Sequence, residues 1–255
     1  MKRLALCAVV ACLVVSWPVM SAAQGRGAAP ATPQTAKAKA PIDLTGYWVS
    51  IVSEDWRYRM VTPTKGDYQG VPMNPEARKV ADAWDPDADQ NAGQACKSYG
   101  APAILRVPGR LHITWQDDQT LKLDTDAGTQ TRLFRFEPGT GEKPAASWQG
   151  DSDAKWEALV AGTQGAVAPK SGWLKVTTKN LRPGYLRKNG VPYSEAATLT
   201  EYFDLGTLPS GDRVIVVTSV LDDPKYLTQP FIVSTQFKQQ PSASGWEPTP
   251  CSTSW

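Results

Sequence analysis

His112 is the only histidine in the chain, and the only side chain whose unperturbed pKa falls near neutrality. It sits in an alternating stretch, 110–116 (RLHITWQ), on the face opposite Leu111, Ile113 and Trp115. If those apolar residues face outward, His112 enters an interior and serves as acid or base. If they line the interior, His112 is a surface residue. Glu201 and Asp124 lie on other predicted strands and are the carboxylates available for the same proton transfer. Alternation separates two faces of a strand but does not label them inner and outer.

A second constellation is cationic. Glu54, Asp55, Arg57 and Arg59 cluster early in the chain. On a strand, Arg57 and Arg59 share a face about 7 Å apart. Two such guanidinium groups can clamp a carboxylate or phosphate. The alternative is cross-strand ion pairing with Asp124, Asp126 or Glu201. The third group is aromatic: ten Trp residues, nine of them beyond position 23. Trp48 and Trp115 read as core. Trp56 with Tyr58, and Trp148 with Trp156, are the better candidates to line a pocket for an apolar or sugar ligand.

Other chemistry is not encoded. There is no nucleophile elbow, phosphate loop, dinucleotide fingerprint or zinc-protease helix. The loop 139–143 (GTGEK) has the wrong spacing for a phosphate loop. One His, and Cys residues without neighbours at ligand spacing, supply no metal site, and no cofactor is implied. A formal charge of +2 is no footprint for nucleic acid.

These side chains must be positioned by short strands. The 255 residues are rich in Trp, Pro and Gly, which favours strands and turns over a helical bundle. Strands are predicted at 44–52, 56–62, 110–116, 120–125, 129–136, 146–150, 155–159, 173–179, 197–204, 213–221 and 231–238. Asp117-Asp118-Gln119, Asp126-Ala127-Gly128 and Pro209-Ser210-Gly211-Asp212 are turns; 162–172 and 182–194 are loops. Asn74-Pro75-Glu76 starts one helix, which should stop near Asp85-Pro86. Residues 87–100 read as acidic and turn-like. No fixed-period repeat is present, which argues against a propeller or solenoid. The expectation is an all-β fold: an antiparallel barrel or a strongly curved sheet with one short helix, in a single domain over 41–255.

The first 23 residues have a positive start, an apolar run and a small-residue end (Ser21-Ala22-Ala23), the pattern of an export signal. Residues 24–40 hold no aromatic or large aliphatic side chain and read as a disordered leader. Beyond the signal the charges balance at 25 each, and beyond the leader they fall to 22 against 25. No integral membrane segment then remains. Cys7 and Cys12 leave with the signal. Cys96 and Cys251 form an even pair in an exported chain and read as one disulfide.

Leu44-Thr45-Gly46-Tyr47-Trp48 resembles the Gly-x-Trp opening of lipocalins. That resemblance implies that Trp48 plugs the base of a barrel and that Gly46 allows the bend beside it. More broadly, several segments look like a group of exported bacterial proteins. They are Trp156-Glu157, the strand over 172–180, Ser194-Glu195, Glu201-Tyr202-Phe203, the run Asp223-Pro224-Lys225-Tyr226-Leu227-Thr228-Gln229-Pro230, and Cys251. This resemblance implies export, to the periplasm or beyond, and a lipocalin-like barrel; it carries no activity.

Three functions follow as expectations. The first is binding of a small lipophilic or aromatic acid, with Trp56, Tyr58, Trp115, Trp148 and Trp156 as contacts and Arg57 or Arg59 orienting its polar group. The second is an isomerase, cyclase or hydratase using His112, Glu201 or Asp124. The third is a cell-envelope interaction module with a filled barrel and no small ligand.

Overall fold

The computed structural model describes residues 34–137, 144–158 and 171–253. The signal and most of the leader, the 139–143 loop, nearly all of the 162–172 loop and Trp255 lie outside them. Eleven strands occur among the described residues: β1 (Gly46–Ile51), β2 (Arg110–Asp117), β3 (Thr120–Thr125), β4 (Gln130–Arg135), β5 (Asp151–Ala158), β6 (Gly172–Lys179), β7 (Gly184–Tyr185), β8 (Pro192–Tyr193), β9 (Thr198–Thr207), β10 (Arg213–Asp222) and β11 (Phe231–Gln240). Nine of them close a barrel in the order β1-β11-β10-β9-β6-β5-β4-β3-β2, while β7 and β8 form a separate hairpin. The all-β expectation is met. Every neighbouring pair in the barrel is antiparallel except β4 and β5, which run parallel at Phe134↔Ser152 and Arg135↔Asp153.

Burial labels the faces that alternation left open. Leu111 and Ile113, Leu121 and Leu123, Phe134, Leu174 and Val176, Phe203, Ile215 and Val217, and Phe237 all point inward and pack as one core with Trp48. Trp48 is fully buried and its Nε1–H donates to the Leu44 carbonyl at 3.0 Å. Gly46 beside it has φ 117°, which a residue with a Cβ rarely adopts. One end of the barrel is aromatic: Trp115, Phe136 and Trp156 lie with ring centroids 5.3–6.4 Å apart. Residues 34–40, expected to be flexible, instead close this end. They form a short helix, Ala36–Lys39, and Trp156 Nε1–H donates to the Ala36 carbonyl at 2.9 Å. Ala36 N–H also donates to Gln119 Oε1 at 3.0 Å, Lys37 N–H donates to the Asp118 carbonyl at 3.1 Å, and Ala36 is buried, so hydrogen bonds rather than large apolar side chains hold this segment.

The opposite end is covered by two insertions, 52–109 between β1 and β2 and 180–197 between β6 and β9. They share a second apolar cluster with the strand ends, joining Ala77, Ala81, Val191 and Tyr193 to Leu199, Leu221 and Phe231. The helix predicted from Asn74-Pro75 is Pro75–Asp82, and Asn74 accepts from Ala77 N–H at 2.9 Å. Two predicted strands are absent. Residues 56–62 hold a helical turn, Trp56–Arg59, entered through Asp55 at φ 50°. A strand needs a partner for its ladder, and both edges of β1 are already occupied by β2 and β11. Residues 146–150 make one isolated bridge, Ser147↔Leu181, before Gly150 at φ 60° turns the chain into β5. The 87–100 segment, expected to be turn-like, carries the helix Pro86–Asn91, capped by Asp85, and the 3-10 turn Ala95–Tyr99. The expectation of a single helix was therefore too low.

Candidate functional site

Once the apolar face points inward, the proton-transfer candidates separate. His112 lies on the outer wall, stacked on Tyr47 with centroids 4.0 Å apart and edge-on to Trp246. Partial burial lowers its pKa, against a raising influence from Asp124. Asp124 is also outside, accepting from Thr131 Oγ1–H and paired with Lys122 at 2.8 Å. Glu201 points inward but is not free. Arg132 Nη1 donates to its Oε1 at 2.9 Å, a second bond joins Nη2 to Oε2, and both side chains are about 1% exposed or less. Thr178 and Ser152 extend this polar layer across the interior. No proton-transfer pair assembles from these three groups.

The aromatic candidates also part. Trp115 and Trp156 meet at the aromatic end, and Trp115 borders an open groove of about 440 Å³ with Ile42 and Pro41. Trp148 lies elsewhere, under the Arg182 guanidinium at 4.4 Å, donating to the Pro183 carbonyl. Trp56 and Tyr58 sit at the capped end, on the helical turn. The expected ion pairs have other partners. Arg57 pairs with Asp67, Arg59 with Glu54 at 2.9 Å, Arg132 with Glu201, and Asp126 with Arg110 at 3.8 Å.

Arg57 and Arg59 do not form a clamp, because a helical turn points them apart. Arg57 stays exposed, whereas Arg59 is buried, donating to the Arg106 carbonyl at 3.0 Å and to Ser50 Oγ at 3.1 Å. Burial lowers its pKa while Glu54 opposes that. The arginine pair that does converge is one the sequence hid: Arg106 and Arg187, 6% and 5% exposed. Arg106 donates Nη2–H to Asp55 at 3.0 Å, and its Nη1 is buried without a hydrogen-bond partner. Arg187 donates Nη1–H to the Gln69 carbonyl at 2.7 Å, stacks over the Tyr58 ring at 4.0 Å, and has a buried Nε without a partner.

Both line a small cleft of about 20 Å³ with Tyr58, Leu186, Ala103 and Lys188. That space admits a group about the size of one water. Burial first, and then the Arg106 charge, depress the Arg187 pKa to about 10, so it remains a cation at neutral pH. Lys188 donates to Tyr99 Oη at 2.7 Å, and burial lowers its pKa to about 8. The two buried cations, Arg106 and Arg187, face Asp55, with the exposed Arg57 paired to Asp67 beside them. One positive charge is in excess there even before Lys188 is counted.

Nothing in the sequence links positions 106 and 187, since they lie in separate insertions. The one signal was the basic run Arg182 to Lys188 within the segment read as a loop over 182–194. The disulfide is present: Cys96 and Cys251, with Cα atoms 5.1 Å apart, tie the tail after β11 to the cap. Among the described residues no His, Cys, Asp and Glu group could hold a metal, and no helix is long and apolar enough to cross a membrane. No family model, curated protein or solved structure matches the chain.

Proposed function

We propose that the protein works outside the cytoplasm as a binding protein for a small carboxylic acid, held at the capped end of the barrel rather than in its lumen. The observation that carries this reading is the pair of buried N–H groups, Arg106 Nη1 and Arg187 Nε, left without partners at the cleft. A buried donor without an acceptor costs about 1–3 kcal/mol, and a carboxylate oxygen is an acceptor of the kind these donors lack and balances the excess charge. The cleft seats that oxygen alone, so the ligand's body stays outside. The Cys96–Cys251 bridge supports an oxidising compartment.

The test compares benzoate and octanoate with benzamide and octanamide at constant ionic strength, by melting temperature and Trp fluorescence. The acids should stabilise the protein and the amides should not. Arg187→Gln should abolish the difference. Equal responses to acid and amide, or an undiminished response in Arg187→Gln, overturn the reading.

A second reading, an interaction module with no small ligand, is favoured by the packed interior and by Trp56, Met60 and Val61. These three are 64%, 53% and 60% exposed within six residues of one another. It gains if the acids leave the protein unchanged while Trp56→Ser removes self-association or partner binding.

A further inference from the structure

The outer wall of the barrel carries a second feature, which shares no lining residue with the arginine cleft. Trp173, Tyr202, Asp204 and Thr218 line an open groove of about 330 Å³ across β6, β9 and β10. Strand register explains the grouping. Lys175 stands opposite Tyr202 and Leu174 opposite Phe203, so the next rung brings Trp173 to Asp204. Tyr202 in turn stands opposite Thr218. Leu174 and Phe203 point into the core, so their neighbours Trp173, Tyr202 and Asp204 must point out.

The two rings are held in place before any ligand arrives. Trp173 Nε1–H donates to Glu157 Oε2 at 2.8 Å, and Glu157 is itself fixed by Lys155 at 2.7 Å. The Lys175 ammonium lies 5.3 Å from the Tyr202 centroid. Asp204 has no ion pair or hydrogen bond among the described residues, although desolvation alone raises its pKa. The wall therefore offers two anchored aromatic rings beside an acceptor and a hydroxyl.

Charge selects among ligands. The lining's one charge is Asp204, and Glu157 with Lys155 and Lys175 beside the groove brings the local sum to zero. An organic cation would meet Lys175 at the Tyr202 ring. An apolar chain would strip water from Asp204 and give nothing back. A sugar ring meets both demands, with its C–H face on the indole and its hydroxyls to Asp204 and Thr218. We propose that this groove binds a neutral saccharide, with Trp173 as the stacking platform and Asp204 as the principal hydroxyl acceptor.

The experiment uses the disulfide-intact protein and the Trp173 indole N–H resonance, assigned by its loss in Trp173→Ala. Maltotriose, cellotriose and tri-N-acetylchitotriose are titrated to millimolar levels, with choline as the cationic control. At least one trisaccharide should move the resonance with saturation. Its binding should weaken about tenfold in Asp204→Asn and vanish in Trp173→Ala, both judged by a second outer-wall probe, with melting temperatures near wild type. No saturable shift with any of the three, a shift with choline alone, or full binding in Trp173→Ala each overturns the proposal.

Discussion

The two ends of this barrel are closed by opposite means. At one, Trp115, Phe136 and Trp156 lean together over Trp48 and are sealed by a helical turn from residues 34–40. At the other, Arg59, Arg106 and Arg187 are carried by the two insertions and Arg132 lies in the barrel wall, each held by specific acceptors. Apolar burial is non-directional and tolerates small misplacements. Buried charge does not: it is stable only while each partner stays in place. The aromatic end is therefore a structural plug, and the charged end is where geometry is specified most closely.

The largest test of this contrast pairs one residue from each region. Trp48→Ala and Glu201→Ala should each destabilise by about 3–5 kcal/mol, the first through a cavity and the second by stranding the Arg132 guanidinium. Chemical denaturation cannot separate them as single variants, but a second change can. Arg132→Met with Glu201→Leu should recover most of the loss, because removing both charges removes the stranded one. No partner change should rescue Trp48→Ala. If the double variant is as unstable as Glu201→Ala, the polar layer is not a compensated pair and the contrast fails.

How much of this was legible beforehand follows the same division. The meander β2–β3–β4, the Asn74 cap, the place of Trp48 and the disulfide were readable, because each depends on local alternation, on capping chemistry or on a count of two cysteines. The identity of the inward face was not, since period-two alternation is symmetric until a partner sheet is known. Residues 56–62 alternate like a strand, yet they fold as a helical turn because β1 has no free edge. The charged end was invisible for a related reason. Arg106 and Arg187 are brought together only by closure of the barrel and docking of both insertions. Adjacent spacing pointed to Arg57 and Arg59, which a helical turn drives apart.

The disulfide connects the two regions and gives an intermediate test. After β11 the chain passes Tyr47 and His112 with Trp246 and donates Thr249 N–H to the Asp126 carbonyl. Cys251 then fastens to Cys96 in the cap. Cys96→Ser should cost about 2–4 kcal/mol. Hydrogen exchange should show where: faster exchange across 86–107 in the cap, with β1 and β11 around Trp48 nearly unchanged. Uniform loosening of both regions would show that the bridge stabilises the whole barrel rather than its charged end.

The smallest effect is a pH dependence that belongs to the charged end alone. Burial lowers Lys188 from its usual value to about 8. A cation whose pKa is lower in the folded state than in the unfolded chain burdens the fold below that lower value. The burden lifts as pH climbs toward the ordinary lysine value near 10.4. Stability should therefore rise from pH 8 upward. The rise is cut short because burial raises Tyr99, Tyr185 and Tyr193 in the same cap. Groups raised on folding contribute stability below the unfolded tyrosine value near 10 and lose it above. Urea midpoints should thus climb between pH 8 and about 9.5 and fall beyond pH 10. Lys188→Met should flatten the climb while leaving the fall, and Trp48→Ala should lower the whole curve without changing its shape. A climb that survives in Lys188→Met would place its origin outside the capped end, and the assignment of pH sensitivity to that end would be wrong.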